Sequence, residues 1–127
     1  MKFSLEKEER LKSRKLIGQL YKQGQSVKAY PLRMVYLQID HYSDYPVQAA
    51  VSVPKRNFKK AVDRNRIKRL LRETYRTEKE IVYSKTKKPY VFMISYLAKE
   101  EIPHQELKVK MVKLLTKFVN EINDYEK

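Results

Sequence analysis

The chain of 127 residues has no cysteine, no tryptophan, only two glycines and about half as many acidic as basic residues. Without cysteine there can be no disulfide, no thiolate zinc site and no thiol nucleophile. Gly18 and Gly24 stand alone, so no glycine-rich phosphate loop is present. No apolar run is long enough to cross a bilayer. The opening MKFSLEKEER has no apolar core of the kind a signal peptide needs, which places the protein in the cytoplasm. The two histidines, His41 and His104, are far apart, in a turn and at a helix start, and suit surface or capping roles. The carboxylates are scattered, and Asp40 and Asp44 read as turn chemistry. A protein nuclease needs metal-binding acids or a histidine pair. Neither is offered, nor is a serine elbow or a zinc motif. No catalytic residue and no metal ligand is therefore assigned to the protein.

What remains is charge, and it is mostly of one sign. The net charge is +14 at pH 7. A surplus of this size repels itself in the compact state, and a polyanion relieves that repulsion. Nucleic acid fits better than an anionic membrane, because no helix carries a greasy, aromatic-rich face. The length suits a single domain over residues 1–127 with one modest core.

Hydrophobic spacing gives the element order. Residues 4 to about 23 read as a helix, with Leu16, Ile17, Leu20 and Tyr21 at helical spacing and Gly24 placed to end it. Strands are expected near 31–39 and over VQAAVSVP, with a weaker one at 25–29. A helix runs from about 61 to at least 76, its apolar side formed by Val62, Ile67, Leu70, Leu71 and Tyr75. TEKEIVYSKTKK either prolongs that helix or loops out. YVFMIS is a buried strand, and an amphipathic helix beginning at Pro103 closes the chain. Helices packed on a mixed sheet, an α+β domain, is the economical arrangement.

The informative stretch is VPKRNFKKAVDRNRIKRLLRETYR. Between Lys55 and Arg76 it carries ten basic residues against two acids, Asp63 and Glu73. On a helix, Asn65, Lys68, Arg69, Arg72 and Arg76 recur at intervals of three and four, away from Ile67 and Leu71, with Arg64 and Arg66 beside them. Guanidinium groups match phosphate geometry and stay charged at any physiological pH. The asparagine adds a donor and an acceptor that simple charge attraction does not require. Like charges this close cost a few tenths of a kcal/mol per pair, roughly, in an isolated helix.

KKAVDRNRIKRLLRE resembles the signature of the bacterial ribonuclease P protein family, an Arg-Asn-Arg triplet on a helix after a basic loop. RLKSRKLIGQLYKQGQSV and VSVPKR are similar to the family's first helix and to its strand and basic loop. The resemblance implies an α-β-β-β-α-β-α order with a left-handed βαβ crossover, the ribosomal protein S5 domain 2-like fold. It implies a non-catalytic subunit of an endoribonuclease: a partner RNA, present at about one per protein, holds Mg2+ and hydrolyses precursor tRNA to release its 5′ leader. By position, Arg64, Asn65, Arg66, Lys68, Arg69 and Arg72 would face the catalytic RNA. Lys55, Arg56, Lys59 and Lys60 would form the basic loop. Ile17, Tyr21 and Tyr36 would line a leader cleft between the first helix and the sheet. No DNA or membrane partner is implied.

The chain departs from the family pattern in three places. Ile17 stands where many members have phenylalanine, and stacking a base on an aromatic contributes ~1–3 kcal/mol. Lys59 occupies the usual glycine position of a loop that is one residue longer. SYLAKEE lacks the basic residue often found after the last strand. From the residues alone, a structural RNA-binding protein such as a ribosomal protein is the alternative. A helix-turn-helix regulator would need a second helix a short turn upstream, and none is legible there.

Overall fold

The computed structural model describes residues 7–123. A 3-10 turn, Lys7–Glu9, leads into α1, Arg14–Gln23, and then β1, Gln25–Ala29, β2, Leu32–Gln38, and β3, Val47–Ser52. Helix α2, Ala61–Glu78, continues after Lys79 as the single turn α3, Glu80–Tyr83; β4, Tyr90–Tyr96, and α4, His104–Asn123, complete the chain. The expected order is present, with TEKEIVYSKTKK supplying both a helical turn and a loop. The four strands form one sheet in the order β1-β2-β4-β3. Strands β1, β2 and β4 pair antiparallel, and β3 lies parallel to β4. A parallel neighbour needs a crossover, and α2 provides it.

Strand alternation gives the sheet two apolar faces. On one, Leu32, Met34, Tyr36, Phe92 and Ile94 pack against Ile67, Leu71 and Tyr75 of α2 and against the apolar stripe of α4. Phe118 sits at the centre, its ring 4.6 Å from Phe92, 4.8 Å from Tyr36 and 5.2 Å from Tyr90, all edge-on. Each such pair contributes ~0.5–1.5 kcal/mol beyond its buried area. On the other face, Val35, Val91 and Met93 meet Leu11 and Leu20, with Leu16 and Ile17 packed beside them. Helix α1 therefore has the second face to itself.

The first helix starts later than its sequence suggests. Residues 4–6 lie outside the described residues, and residues 10–12 are extended. Arg10 bridges Ala49 in parallel, and the Leu11 N–H donates to the Ala49 carbonyl at 2.9 Å. Burying Leu11 beside β3 and capping α1 with Ser13, whose Oγ accepts from the Leu16 N–H at 3.2 Å, together outcompete helix in that charged stretch. The turn before it is anchored by Glu9, which is fully buried and pairs with the Lys79 ammonium at 2.8 Å and the Tyr83 hydroxyl.

Gly24 does end α1, but for reasons of space. Its φ is −71°, and its N–H donates to the Leu20 carbonyl. A Cβ there would lie 2.7 Å from Val35 Cγ1 and 3.0 Å from the Tyr36 carbonyl oxygen. Glycine lets the chain pass directly from helix to edge strand. His41, expected in a surface or capping role, is buried in the β2–β3 turn, where its Nδ1 accepts from the Ser43 N–H. Among the described residues, no helix is long and apolar enough to cross a membrane.

Candidate nucleic-acid interface

Helix α2 buries Ile67, Leu71, Thr74 and Tyr75 and exposes the opposite side. Val62, assigned to the apolar side by spacing, is 72% exposed, and burial along α2 begins only at Ile67. Asn65, Arg69 and Arg72 are exposed, and Lys68 is half-buried. Among the described residues, the side chains of Lys68, Arg69 and Arg72 make no hydrogen bond or ion pair. They form a ridge of cations without counter-charge.

The two arginines of the triplet are engaged in other ways. Arg64 Nη1 donates to the carbonyls of Phe58 and Lys59, both at 2.8 Å, fastening the preceding loop to the helix. Arg66 grips Glu101 with Nε at 2.9 Å and Nη2 at 2.6 Å, and reaches Asp63 at 3.1 Å. The hydrogen bond from Arg66, then its charge, holds the Glu101 carboxyl below the usual carboxylate range. Arg76 does the same for Glu73. Both members of the Arg66–Glu101 pair are partly solvated, at 48% and 38% exposure. Such a pair contributes little to stability.

The basic loop is well fastened. Asn57 donates from Nδ2 to the Leu97 carbonyl at 3.0 Å, and its N–H closes a turn on Pro54. Phe58 packs against Tyr96 with ring centroids 6.0 Å apart. Lys55, Arg56, Lys59 and Lys60 are all exposed around this pinned backbone. The backbone at Lys59 is not left-handed, so no glycine is required at position 59.

Beside the loop lies the part of the second sheet face that α1 leaves uncovered. Lys28, Arg33, Ser95 and Ser52 occupy one row across the four strands, and the two serine hydroxyls are 3.1 Å apart. Arg33 Nε is buried without a partner among the described residues. Helix α1 flanks this row with Ile17, which packs on the sheet, and Tyr21, which is 57% exposed. Tyr36 does not join them. It points through the sheet to the opposite face, against Phe118, and its hydroxyl donates to Gln25 Oε1 at 3.0 Å. The expectation for Tyr36 is corrected by strand parity: its neighbours Val35 and Leu37 face α1, and a one-residue change of register exchanges the faces. Sequence reasoning missed the polar row. Lys28 and Arg33 are ordinary strand residues until the pairing register places them opposite one another.

The Ribonuclease P family model matches residues 5–119. The chain belongs to the ribonuclease P protein family. Among relatives, the ribonuclease P protein component of Porphyromonas gingivalis is 44% identical over 81 residues, 63% of this chain and 58% of that protein. The protein component of Chlorobium phaeobacteroides is 42% identical over 84 residues, with 64% and 58% covered. The match thus spans under two thirds of the length of these curated relatives. Two solved structures share the fold. The RNase P protein of Thermotoga maritima has a TM-score of 0.69 at 23% identity, over 86% of this chain and 96% of that one. The Staphylococcus aureus RNase P protein has a TM-score of 0.70 at 21% identity, over 87% and 94%.

Proposed function

We propose that the chain is the protein subunit of ribonuclease P, a cytoplasmic ribonucleoprotein. It binds a catalytic RNA, about one to one, together with the 5′ leader of precursor tRNA, and assists endonucleolytic removal of the leader. The observation that carries this reading is the ridge of Lys68, Arg69 and Arg72, unpaired among the described residues, next to an Arg-Asn-Arg triplet and a pinned basic loop. The family membership agrees with it.

In this reading the ridge neutralises phosphates of the catalytic RNA and releases its counterions. Asn65 supplies a polar contact in the same footprint. Arg64 keeps the loop docked so that Lys55, Arg56, Lys59 and Lys60 present a fixed array to RNA. Arg66 exchanges its carboxylate partner for a phosphate. The leader passes along α1, where Ile17 gives apolar contact and Tyr21 a ring to stack on. Among the described residues, no three of His, Asp or Glu converge to hold a metal ion. In this reading magnesium belongs to the RNA, with the hydrolytic step, and no ligand is assigned to the protein.

The test is assembly with the RNA subunit in a gel-shift titration over a range of salt. Replacing Lys68, Arg69 and Arg72 together by alanine is expected to weaken assembly strongly and to flatten the salt dependence. Each phosphate that is no longer neutralised takes roughly 0.7–0.9 from the slope of log K against log salt. An unchanged slope in a variant with native circular dichroism would remove the basis for the reading.

A further inference from the structure

On the flank of α1 away from Ile17 and Tyr21, a cavity of about 560 Å³ opens between the N-terminal segment and the β2–β3 turn. Arg10, Lys12 and Lys15 line one side, and Asp40 and Tyr42 line the other. Tyr42 is the unusual member. The residue is 91% exposed, and its φ of 58° lies in the left-handed region that bulky side chains avoid. A single exposed aromatic needs no explanation by itself. A tyrosine kept exposed at a backbone cost, in a cavity lined by three cations, does.

The turn that carries it is braced. The Tyr42 N–H donates to Asp40 Oδ1 at 2.9 Å. Ser43 Oγ and Gln48 Nε2 both donate to the Glu8 carbonyl, at 2.9 and 3.1 Å, tying the turn to the N-terminal segment. His41 Nδ1 accepts from the Ser43 N–H, so Nε2 carries the proton and donates to the Pro46 carbonyl, each at 3.3 Å. These bonds hold the ring's base while leaving its faces open.

The cavity shares Arg10 and Lys12 with a second cavity that reaches the basic ridge. That second cavity is about 440 Å³, and its far wall includes Arg72 of α2. A strand of phosphates leaving Arg72 would meet Arg10 and Lys12, then Lys15, with Tyr42 opposite. Cations that follow a backbone, with an aromatic in the same cavity, make up a sequence-tolerant site for single-stranded nucleic acid.

We propose that the cavity between Lys12, Lys15 and Tyr42 binds one nucleotide of single-stranded RNA, its base stacked on Tyr42 and its phosphate held by the lysines. Only the identity of the natural strand rests on the function proposed above. The probe is a short single-stranded oligoriboadenylate carrying a fluorescent adenine analogue, titrated into the full chain. Ultraviolet crosslinking of the same complex, followed by peptide mapping, locates the base.

Tyr42→Asn removes the ring but suits the left-handed backbone. Tyr42→Phe keeps the ring. Asparagine is expected to abolish the crosslink at position 42 and weaken probe binding about five- to 150-fold, the range that follows from removing one stacked base. Phenylalanine is expected to bind as the parent does, and Lys12→Ala with Lys15→Ala to weaken binding and flatten its salt dependence. A Tyr42→Asn chain that melts as the parent does and binds and quenches the probe equally overturns the proposal. Assembly of the parent chain with the catalytic RNA is measured in parallel. Its failure would overturn the proposed function and leave a Tyr42-dependent site standing.

Discussion

At the scale of single residues, the decisive distinction is between charges already satisfied and charges held open. Glu9 and Lys79 are buried and depend on each other. Lys79→Met leaves the buried Glu9 carboxylate with the Tyr83 hydroxyl but without its ammonium, and is expected to cost ~3–5 kcal/mol in urea denaturation. Glu9→Gln with Lys79→Met should recover much of that loss, since the double variant strands no charge. The Glu101–Arg66 pair behaves differently because it is solvated. The folded-state pKa of Glu101 is depressed, so its contribution is present above the ordinary glutamate pKa of about 4.3 and is lost as pH falls through the lower folded value. Glu73 follows the same direction through Arg76. Thermal melts are therefore expected to show a small acid-side loss below about pH 4, shallower in Glu101→Gln and at high salt. An acid limb that Glu101→Gln leaves unaltered, in low salt, would contradict this assignment.

At the scale of elements, much was legible and the exceptions share a cause. Ile67, Leu71 and Tyr75 repeat at helical spacing, and Pro103 marks the entry of α4, so both helices could be read from local pattern. The start of α1 could not. Its position depends on Leu11 finding Ala49 and Glu9 finding Lys79, pairings that span dozens of residues and leave no local periodicity. Tyr36 failed for a related reason, since the side a strand residue faces is settled by pairing with β4 and not by its own neighbours in sequence. The two glycines of the α1 region then differ sharply. A methyl group on the Cα of Gly18 would meet nothing within 4 Å, and the backbone there is ordinary helix, so Gly18→Ala should stabilise by ~0.5–1 kcal/mol. Gly24→Ala drives Cβ into Val35 and two backbone carbonyls and should cost ~1–3 kcal/mol. Paired denaturation curves would decide both, and a neutral Gly24→Ala would show that α1 and β1 are joined with room to spare.

At the scale of the molecule, a charge of +14 is distributed with a purpose that burial makes visible. One face of the sheet is closed by α2 and α4 and carries most of the core. The other is partly covered by α1, leaving a polar row beside the basic loop and near the α2 ridge. Composition and the Arg-Asn-Arg triplet pointed to RNA without any fold. The row of Lys28, Arg33, Ser95 and Ser52 and the brace from Arg64 to the loop needed three-dimensional placement. The claim on which the account turns is that this surface serves a catalytic RNA and performs no hydrolysis. Cleavage of precursor tRNA at low magnesium, with the RNA subunit alone, the protein alone and both together, tests it most directly. The account predicts that the 5′ leader is released efficiently only by the combination. Leader release by the protein alone, or no gain when it joins the RNA, would contradict it.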